Sequence, residues 1–109
     1  MQILIDGLNV FYNEKVRLVK TLMKREFSGE YPEPLKWALQ MLYFNCEEWV
    51  EICRIDNYPH EKQIGSHVHV YGRDKVKKVK LTFPEADEVI KEISARILKD
   101  VFDEEINFE

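Results

Sequence analysis

The stretch LKWALQMLYFNCEEWVEICRIDN, residues 35–57, decides the fold class. In residues 35–44 large apolar side chains recur at every second position, and most of the positions between them are apolar too. Alternation with a period of two predicts a β-strand, and apolar residues on both faces predict a central one. Residues 48–57 alternate in the same way, and the short link at 45–47 suits an antiparallel hairpin. The stretch therefore predicts two central strands of an antiparallel sheet.

Further strands are predicted on both sides of this hairpin. Residues 1–5 are expected to form a short strand that ends in a turn at Asp6-Gly7. Residues 10–23 fit a helix and also a strand with interleaved basic side chains, and periodicity does not decide between them. Two prolines and a glycine predict a loop at 28–34. Residues 58–65 read as a polar loop, and 67–71 with 76–83 as a second hairpin around 72–75.

The C-terminal third predicts one long helix. Thr82 and Glu85 have the spacing of a capping box, and Pro84 falls in the first turn, where proline is tolerated. Apolar residues then recur at helical spacing to about Phe102. The predicted fold is α+β, with an antiparallel β-sheet of about five strands covered by one long C-terminal helix, and residues 1–109 form a single domain.

The composition is that of a globular protein of 109 residues, 45% of them hydrophobic. No apolar run reaches the ~20 residues that cross a bilayer, and the N-terminus lacks the basic region of a signal peptide. Cys46 and Cys53 are expected to be buried free thiols, as in a reducing cytoplasm, and the alternative is a disulfide or a metal-binding pair. A charged fraction of 33% resembles that of thermophile proteins. Four large aromatic residues are expected in the core: Trp37, Phe44, Trp49 and Phe83.

Charge is distributed unevenly along the chain. Residues 15–25 carry five basic side chains and no acid, residues 73–80 carry five against one acid, and residues 85–109 carry nine acids against three bases. The cationic segments are able to attract phosphate. The candidate nucleic-acid-binding residues are Arg73, Lys75, Lys78 and Lys80. The alternative is a solvated sheet edge whose lysines discourage aggregation.

The residues most able to carry chemistry lie in 54–60 and 66–71. The candidate catalytic residues are Arg54, Asp56, His60, His67 and His69. Residues two apart on a strand share a face, so His67 and His69 are expected to be neighbours, as are Arg54 and Asp56. Both pairs, with Tyr71, Lys78 and Lys80, are expected on one open surface. The alternatives are a structural ion pair between Arg54 and Asp56 and plainly exposed histidines.

Two chemistries fit these residues. In the first, a histidine transfers a proton near neutral pH while arginine or lysine stabilises a charged phosphorane, which is metal-independent RNA cleavage. In the second, His67 and His69, with Asp56 or His60, hold a divalent metal and leave one position open for water. No cofactor is predicted from the sequence, and the metal is left open.

The order of these features resembles a known family. A hairpin ends in Arg54-Ile55-Asp56-Asn57-Tyr58-Pro59-His60, and His67-Val68-His69, a basic strand and a closing helix follow. This arrangement resembles the TumE-like toxin family of prokaryotic toxin–antitoxin modules, in which an Arg-x-Asp-Asn-x-x-His stretch precedes a histidine-rich motif. The resemblance covers residues 35–98, although the Pro-His-His run that such proteins often show is missing. It implies a small cytoplasmic protein neutralised by a helix-turn-helix antitoxin, and it favours strand for residues 10–23.

A second resemblance concerns the N-terminus. Ile3-Leu4-Ile5-Asp6-Gly7-Leu8-Asn9-Val10 looks like the first strand and turn of PIN-like and NYN-like nucleases. That resemblance implies a metal-binding role for Asp6 and a fold of alternating strands and helices. The simpler interpretation of Asp6-Gly7 is a turn.

Three functions therefore remain open. The first is a toxin-like protein that binds or cleaves RNA through the Arg/Asp/His surface. The second is a non-enzymatic protein-interaction domain, whose acidic helix or cationic hairpin docks a partner. The third is the PIN-like nuclease. The sequence leaves open whether the chain forms homo-oligomers, and it predicts no membrane association.

Overall fold

Six antiparallel strands and one helix make up the regular structure of residues 1–59 and 65–108, the parts of the chain that the computed structural model describes. The strands form one sheet in which each strand lies beside the one before it in sequence. The elements are β1 (Gln2–Phe11), β2 (Val16–Lys24), β3 (Leu35–Phe44), β4 (Trp49–Asp56), β5 (Ser66–Val70), β6 (Lys77–Val79) and α1 (Phe83–Phe102). The predicted α+β class, with an antiparallel sheet and one C-terminal helix, is confirmed.

The core lies between α1 and one face of the sheet. Ile90 and Leu98 of α1 are fully buried, and α1 packs against β3 and β4. The sheet contributes alternate residues, of which Leu39, Met41 and Ile55 are also fully buried. Every second side chain of the strands thus packs against one stripe of the helix, and together they form a single apolar layer.

The start of α1 is fixed by local chemistry. The Thr82 hydroxyl accepts a hydrogen bond from the Glu85 N–H at 3.3 Å, and the Glu85 carboxylate accepts one from the Thr82 N–H at 2.9 Å. The predicted capping box is therefore confirmed, with Pro84 in the first turn. The helix ends at Phe102, where Asp103 adopts a left-handed conformation. The boundaries match the prediction because both ends are specified by nearby residues.

The predicted turn at Asp6-Gly7 is wrong. β1 continues through these residues to Phe11, with irregular pairing to β2 around them. Gly7 has φ +59, which glycine adopts without strain, so the strand bends there and does not reverse. The reversal comes later, where the Asn13 side chain accepts hydrogen bonds from the N–H groups of Lys15 and Val16. Strand is the correct state for most of residues 10–23, but they span a hairpin turn that the pattern did not predict.

The predicted strand at 76–83 is too long. β6 has three residues, because the Ser66 hydroxyl donates to the Val79 carbonyl and accepts from the Leu81 N–H, which ends the ladder. Tyr71 follows β5 and no longer obeys its alternation. Its ring lies 5.1 Å from the ring of Phe102 on the helix side of the sheet. The prediction that Tyr71 shares a face with the histidines is therefore wrong.

The face of the sheet opposite α1 is not covered by a helix among the described residues. Trp49 is 36% exposed and packs there with Phe44, 5.3 Å between ring centroids. The expectation that both rings belong to the core is wrong, since α1 covers the other face. Trp37 and Phe83 do lie in the core region, with ring centroids 5.9 Å apart.

Cys53 is buried and free, as predicted, but Cys46 is exposed at the tip of the β3–β4 hairpin with φ 78. The prediction of a buried thiol at Cys46 is wrong because the chain reverses there, outside either strand. Within residues 1–59 and 65–108, no helix is both long and apolar enough to cross a membrane.

Candidate functional site

Strand register brings the candidate residues together. β4 and β5 pair so that Arg54 lies opposite His69 and Asp56 lies opposite His67. Residues directly opposite each other on antiparallel strands point to the same side of the sheet. All four side chains therefore belong to the open face, because their neighbour Ile55 points into the core. The prediction that Arg54, Asp56, His67 and His69 share a face agrees with this register.

Three of these side chains are in direct contact. The Arg54 Nη2 lies 3.3 Å from the His69 Nδ1 and 3.4 Å from its Nε2. The Arg54 Nε forms an ion pair with the Asp56 Oδ2 at 3.2 Å, and the same oxygen lies 3.7 Å from the His69 Nε2. A guanidinium, a carboxylate and an imidazole thus form one cluster, which we call the Arg54–Asp56–His69 cluster.

The cluster is anchored to the sheet on its carboxylate side. Asp56 is 5% exposed, and its Oδ1 accepts a hydrogen bond from the Tyr58 N–H at 3.0 Å. Glu51 adds a second carboxylate at 3.7 Å from the Arg54 Nη1, and the Gln40 amide donates to Glu51 at 2.7 Å. The Arg54 side chain remains 39% exposed. The buried Asp56 carboxylate and the partly exposed Glu51 carboxylate therefore hold the arginine in place while part of its guanidinium stays open to solvent.

A pocket of about 230 Å³ opens over the cluster. Its remaining wall consists of Ala38, Tyr58 and Pro59. The small side chain of Ala38 leaves space on the neighbouring strand, which a larger residue would fill. Burial, and then the charge of Asp56, raise the pKa of Tyr58, with Arg54 acting in the opposite direction. Tyr58 is therefore a neutral phenol at physiological pH, able to donate a hydrogen bond beside the cluster.

The other two candidate histidines differ from His69. His67 is 1% exposed, beside Asp56 in the register, and it makes further interactions of its own. The expectation of an exposed histidine at this position is therefore wrong, since the open face is covered there. His60 lies outside the described residues. The cluster itself thus contains Arg54, Asp56 and His69 from the predicted set.

The predicted metal ligands do not form a recognisable metal site among the residues described. No group of three or more histidine, cysteine, aspartate or glutamate side chains in 1–59 and 65–108 is arranged to hold an ion. The Arg54 guanidinium lies next to both His69 and Asp56, where it places a positive charge beside two of the predicted ligands.

The predicted nucleic-acid-binding residues are divided between surfaces. Lys78 lies opposite His67 in the register and so points to the open face. Lys78 and Lys80 both line a second pocket, which also includes Glu33. Arg73 and Lys75 line a groove on the helix side of the sheet. Lys80 is therefore grouped with Lys78, whereas Arg73 and Lys75 lie on the other side of the sheet.

Sequence reasoning missed two residues that lie next to Asp56 in the chain or against the pocket wall. Asn57 is 4% exposed; its side-chain oxygen accepts from the Trp37 N–H at 2.8 Å, and its amide donates to the Leu35 carbonyl at 2.7 Å. Lys36 places its ammonium 4.6 Å from the ring centroid of Tyr58, which is one of the residues of the pocket wall. An asparagine at the end of a strand is a usable signal for such a clamp, whereas nothing local marks Lys36.

Asp6 lies on the exposed edge strand β1, at the irregular pairing described above. The described strands pair in antiparallel fashion throughout. The alternation of strands and helices that the PIN-like resemblance implies is not found in residues 1–59 and 65–108.

Comparison of the sequence with protein-family models and with curated proteins, and of the structure with solved structures, found no match.

Proposed function

We propose that the chain is a toxin-like protein that binds RNA at the Arg54–Asp56–His69 cluster and cleaves it without a metal ion. The observation that carries the proposal is the contact of one arginine with one histidine and one buried carboxylate in an open pocket. Arginine and histidine are the two groups that metal-free phosphodiester cleavage requires, one for charge and one for proton transfer.

Each side chain has a distinct role in this reaction. The His69 imidazole accepts the proton of a ribose 2′-hydroxyl, and the 2′-oxygen attacks the adjacent phosphorus. The bond from phosphorus to the 5′-oxygen breaks, and that oxygen takes the proton back from the imidazolium. The products are a 2′,3′-cyclic phosphate and a 5′-hydroxyl, and no redox step occurs.

Arg54 and Asp56 support that proton transfer. Arginine has five N–H donors in a planar fork, and the exposed part of Arg54 is able to donate to the phosphate oxygens as negative charge develops on them. Asp56 lies 3.7 Å from the His69 Nε2 and holds Arg54 by an ion pair, so it fixes the orientation of both. Tyr58 contributes a neutral hydroxyl group at the pocket wall.

The size of the pocket favours a site for the sugar–phosphate backbone of a nucleic acid. At about 230 Å³ the pocket is below the range of about 300–1,000 Å³ that is typical of small-molecule sites. It is suited to one phosphate with part of its ribose, the rest of the strand lying outside. A polymer such as RNA fits this description better than a free metabolite does.

Charge placement favours a polyanion although the chain has a net charge of −4. Nine acidic residues fall in 85–109, and α1 lies behind the sheet, on the side away from the pocket. The open face of β2–β6 carries four cations against two carboxylates, as the strand register places them. The cations are Arg17, Lys36, Arg54 and Lys78, and the carboxylates are Glu51 and Asp56. The surface around the pocket is therefore cationic, while the net negative charge lies behind it.

The cellular role follows from the motif resemblance. The Arg54-x-Asp56-Asn57 stretch and the following His-x-His support a toxin of a toxin–antitoxin module, with a helix-turn-helix antitoxin as its partner. On this proposal, expression of the chain alone arrests bacterial growth, and co-expression of the antitoxin restores it.

The test is cleavage of a dye-labelled single-stranded RNA in EDTA. His69→Gln is expected to lower the rate by about 10²–10⁴-fold, the usual loss when an acid–base group is removed. Arg54→Met is expected to lower it by about 10²–10³-fold. Lys99→Gln, an exposed change in the last turn of α1, is the control and should leave the rate unchanged.

The outcomes separate the candidate functions. Full activity of His69→Gln would contradict the role of the cluster, and loss of wild-type activity in EDTA would point to a metal-dependent reaction. Absence of cleavage by folded wild-type protein under every condition would favour the non-enzymatic interaction domain.

A further inference from the structure

A groove of about 420 Å³ runs between α1 and the β5–β6 hairpin. It lies on the helix side of the sheet, so it is separate from the Arg54–Asp56–His69 cluster. Its apolar floor comes from both elements, with Val68, Val70 and Val79 on the hairpin and Val89, Ile93 and Ile97 on the helix.

The groove exists because the helix covers only part of the sheet. α1 packs against β3 and β4, while β6 has three residues and ends early. Val89, Ile93 and Ile97 are four residues apart and form one stripe along α1, beside the stripe that is buried against the core. All three are only partly buried. An apolar strip that is continuous with the core therefore remains accessible to a partner.

The rim of the groove is strongly cationic. Arg73, Lys75 and Lys77 come from the hairpin, and Arg96 comes from the opposite wall on α1. These four side chains are exposed. Among the described residues that line the groove, none is acidic. A ligand of complementary chemistry has aliphatic side chains for the floor and carboxylates for the rim.

The C-terminal residues 103–108 of the chain contact the sheet through side chains of the same kinds. The Glu104 carboxylate lies 3.5 Å from the Lys15 ammonium and accepts a hydrogen bond from the Tyr43 hydroxyl at 3.1 Å. Phe108 packs edge-on against Tyr12, 4.8 Å between ring centroids. An acidic segment with apolar side chains thus already covers one part of the helix-side surface, next to a lysine.

We propose that the groove between α1 and the β5–β6 hairpin binds an acidic amphipathic helix of a partner protein. A helix fits better than an added strand, because β6 offers only a three-residue edge. A protein segment fits better than RNA, because the floor is made of valine and isoleucine and offers no aromatic ring for base stacking. The inference stands on the groove alone and does not depend on the proposed RNA cleavage.

The test uses a fluorescein-labelled helical peptide with leucines at i, i+3, i+4 and i+7 and glutamates elsewhere. Fluorescence anisotropy should show saturable binding to the full-length chain, and the affinity should fall as salt is added. The double variant Lys77→Glu/Arg96→Glu should bind roughly tenfold or more weakly, since both changed side chains are exposed rim cations. Lys99→Glu makes a matched charge reversal outside the groove and should bind as the wild type does.

Two peptide controls test the two parts of the proposal. A peptide with lysine in place of glutamate should not bind, and an acidic peptide with serine in place of leucine should bind much more weakly. Absence of binding by the original peptide at low salt, or equal binding by the serine peptide, would overturn the proposal. Displacement of the bound peptide by single-stranded RNA from the wild type, but not from the rim variant, would also overturn it and assign the groove to nucleic acid.

Discussion

Replacement of Asn57 by alanine should destabilise the protein strongly although Asn57 is not part of the Arg54–Asp56–His69 cluster. The Asn57 side chain satisfies two backbone groups of the neighbouring strand, the Trp37 N–H at 2.8 Å and the Leu35 carbonyl at 2.7 Å. It also donates to the Glu33 carboxylate at 3.0 Å. Alanine would leave all three without this partner, at a site where Asn57 itself is 4% exposed.

The size of the effect follows from these contacts. A buried polar group that loses its partner costs about 1–3 kcal/mol. Glu33 is partly exposed and is able to bond to water instead, so only the two backbone groups count in full. The expected loss in the free energy of unfolding is therefore about 2–6 kcal/mol. For a domain of this length, at about 4 °C per kcal/mol, this corresponds to a fall in Tm of roughly 8–24 °C.

Urea unfolding followed by tryptophan fluorescence measures this loss. Asn57→Asp is the informative second variant, because it keeps the acceptor for the Trp37 N–H and replaces the donor by a carboxylate facing Leu35 and Glu33. It should be at least as unstable as Asn57→Ala at neutral pH and should recover stability below about pH 4, where the new carboxyl is protonated. Asn9→Ala, an exposed change on β1, should stay within about 0.5 kcal/mol of the wild type.

Two results would refute the reasoning. A loss below about 1 kcal/mol for Asn57→Ala would mean that water replaces the clamp. Loss of RNA cleavage with unchanged stability would mean that Asn57 acts directly in the reaction.

Three further predictions concern other parts of the chain. Burial, with smaller contributions from nearby charges, raises the pKa of Tyr31 to about 12, so folding favours the neutral phenol, and stability should fall as the pH rises from 10 towards 12. Tyr31→Phe should show a smaller loss of stability over this pH range in urea titrations, and an unchanged slope would contradict the prediction. Burial likewise raises the pKa of Cys53 to about 12, so a thiol reagent should modify one cysteine in the native protein, and none in Cys46→Ser. Thr82→Ala removes the capping box and should lower the free energy of unfolding by about 1 kcal/mol, as measured by thermal unfolding. A change near zero would mean that Pro84 is sufficient to start α1.

Sequence reasoning succeeded where the signals were local. The start of α1 follows from Thr82, Pro84 and Glu85, which lie within four residues of each other. β3 was predicted with its observed bounds, because alternation over ten residues is difficult to produce by any other structure. For the candidate site, the i, i+2 rule placed Arg54 with Asp56 correctly.

It failed where long-range packing decides the outcome. The local turn signal of Asp6-Gly7 is overridden by pairing with β2 on both sides of it. Whether Trp49 is buried depends on which face of the sheet the helix covers, and the sequence around Trp49 does not predict that face. The contact between Arg54 and His69 requires the register of β4 against β5, which is fixed by pairing across a loop. Sequence therefore indicated which residues to consider, and the register determined which of them touch.

The strand order of the sheet has a consequence for synthesis on the ribosome. Each strand pairs with the strand made just before it, so hairpins are able to form one after another as the chain emerges. Arg54 and Asp56 emerge before their partner strand β5, and α1 is made after the whole sheet. Until α1 has left the ribosome, the apolar face that it covers is exposed to water, and the nascent chain is most prone to aggregation during that interval. Pulse-labelling of stalled chains that end before residue 83 should capture chaperones that full-length chains do not bind.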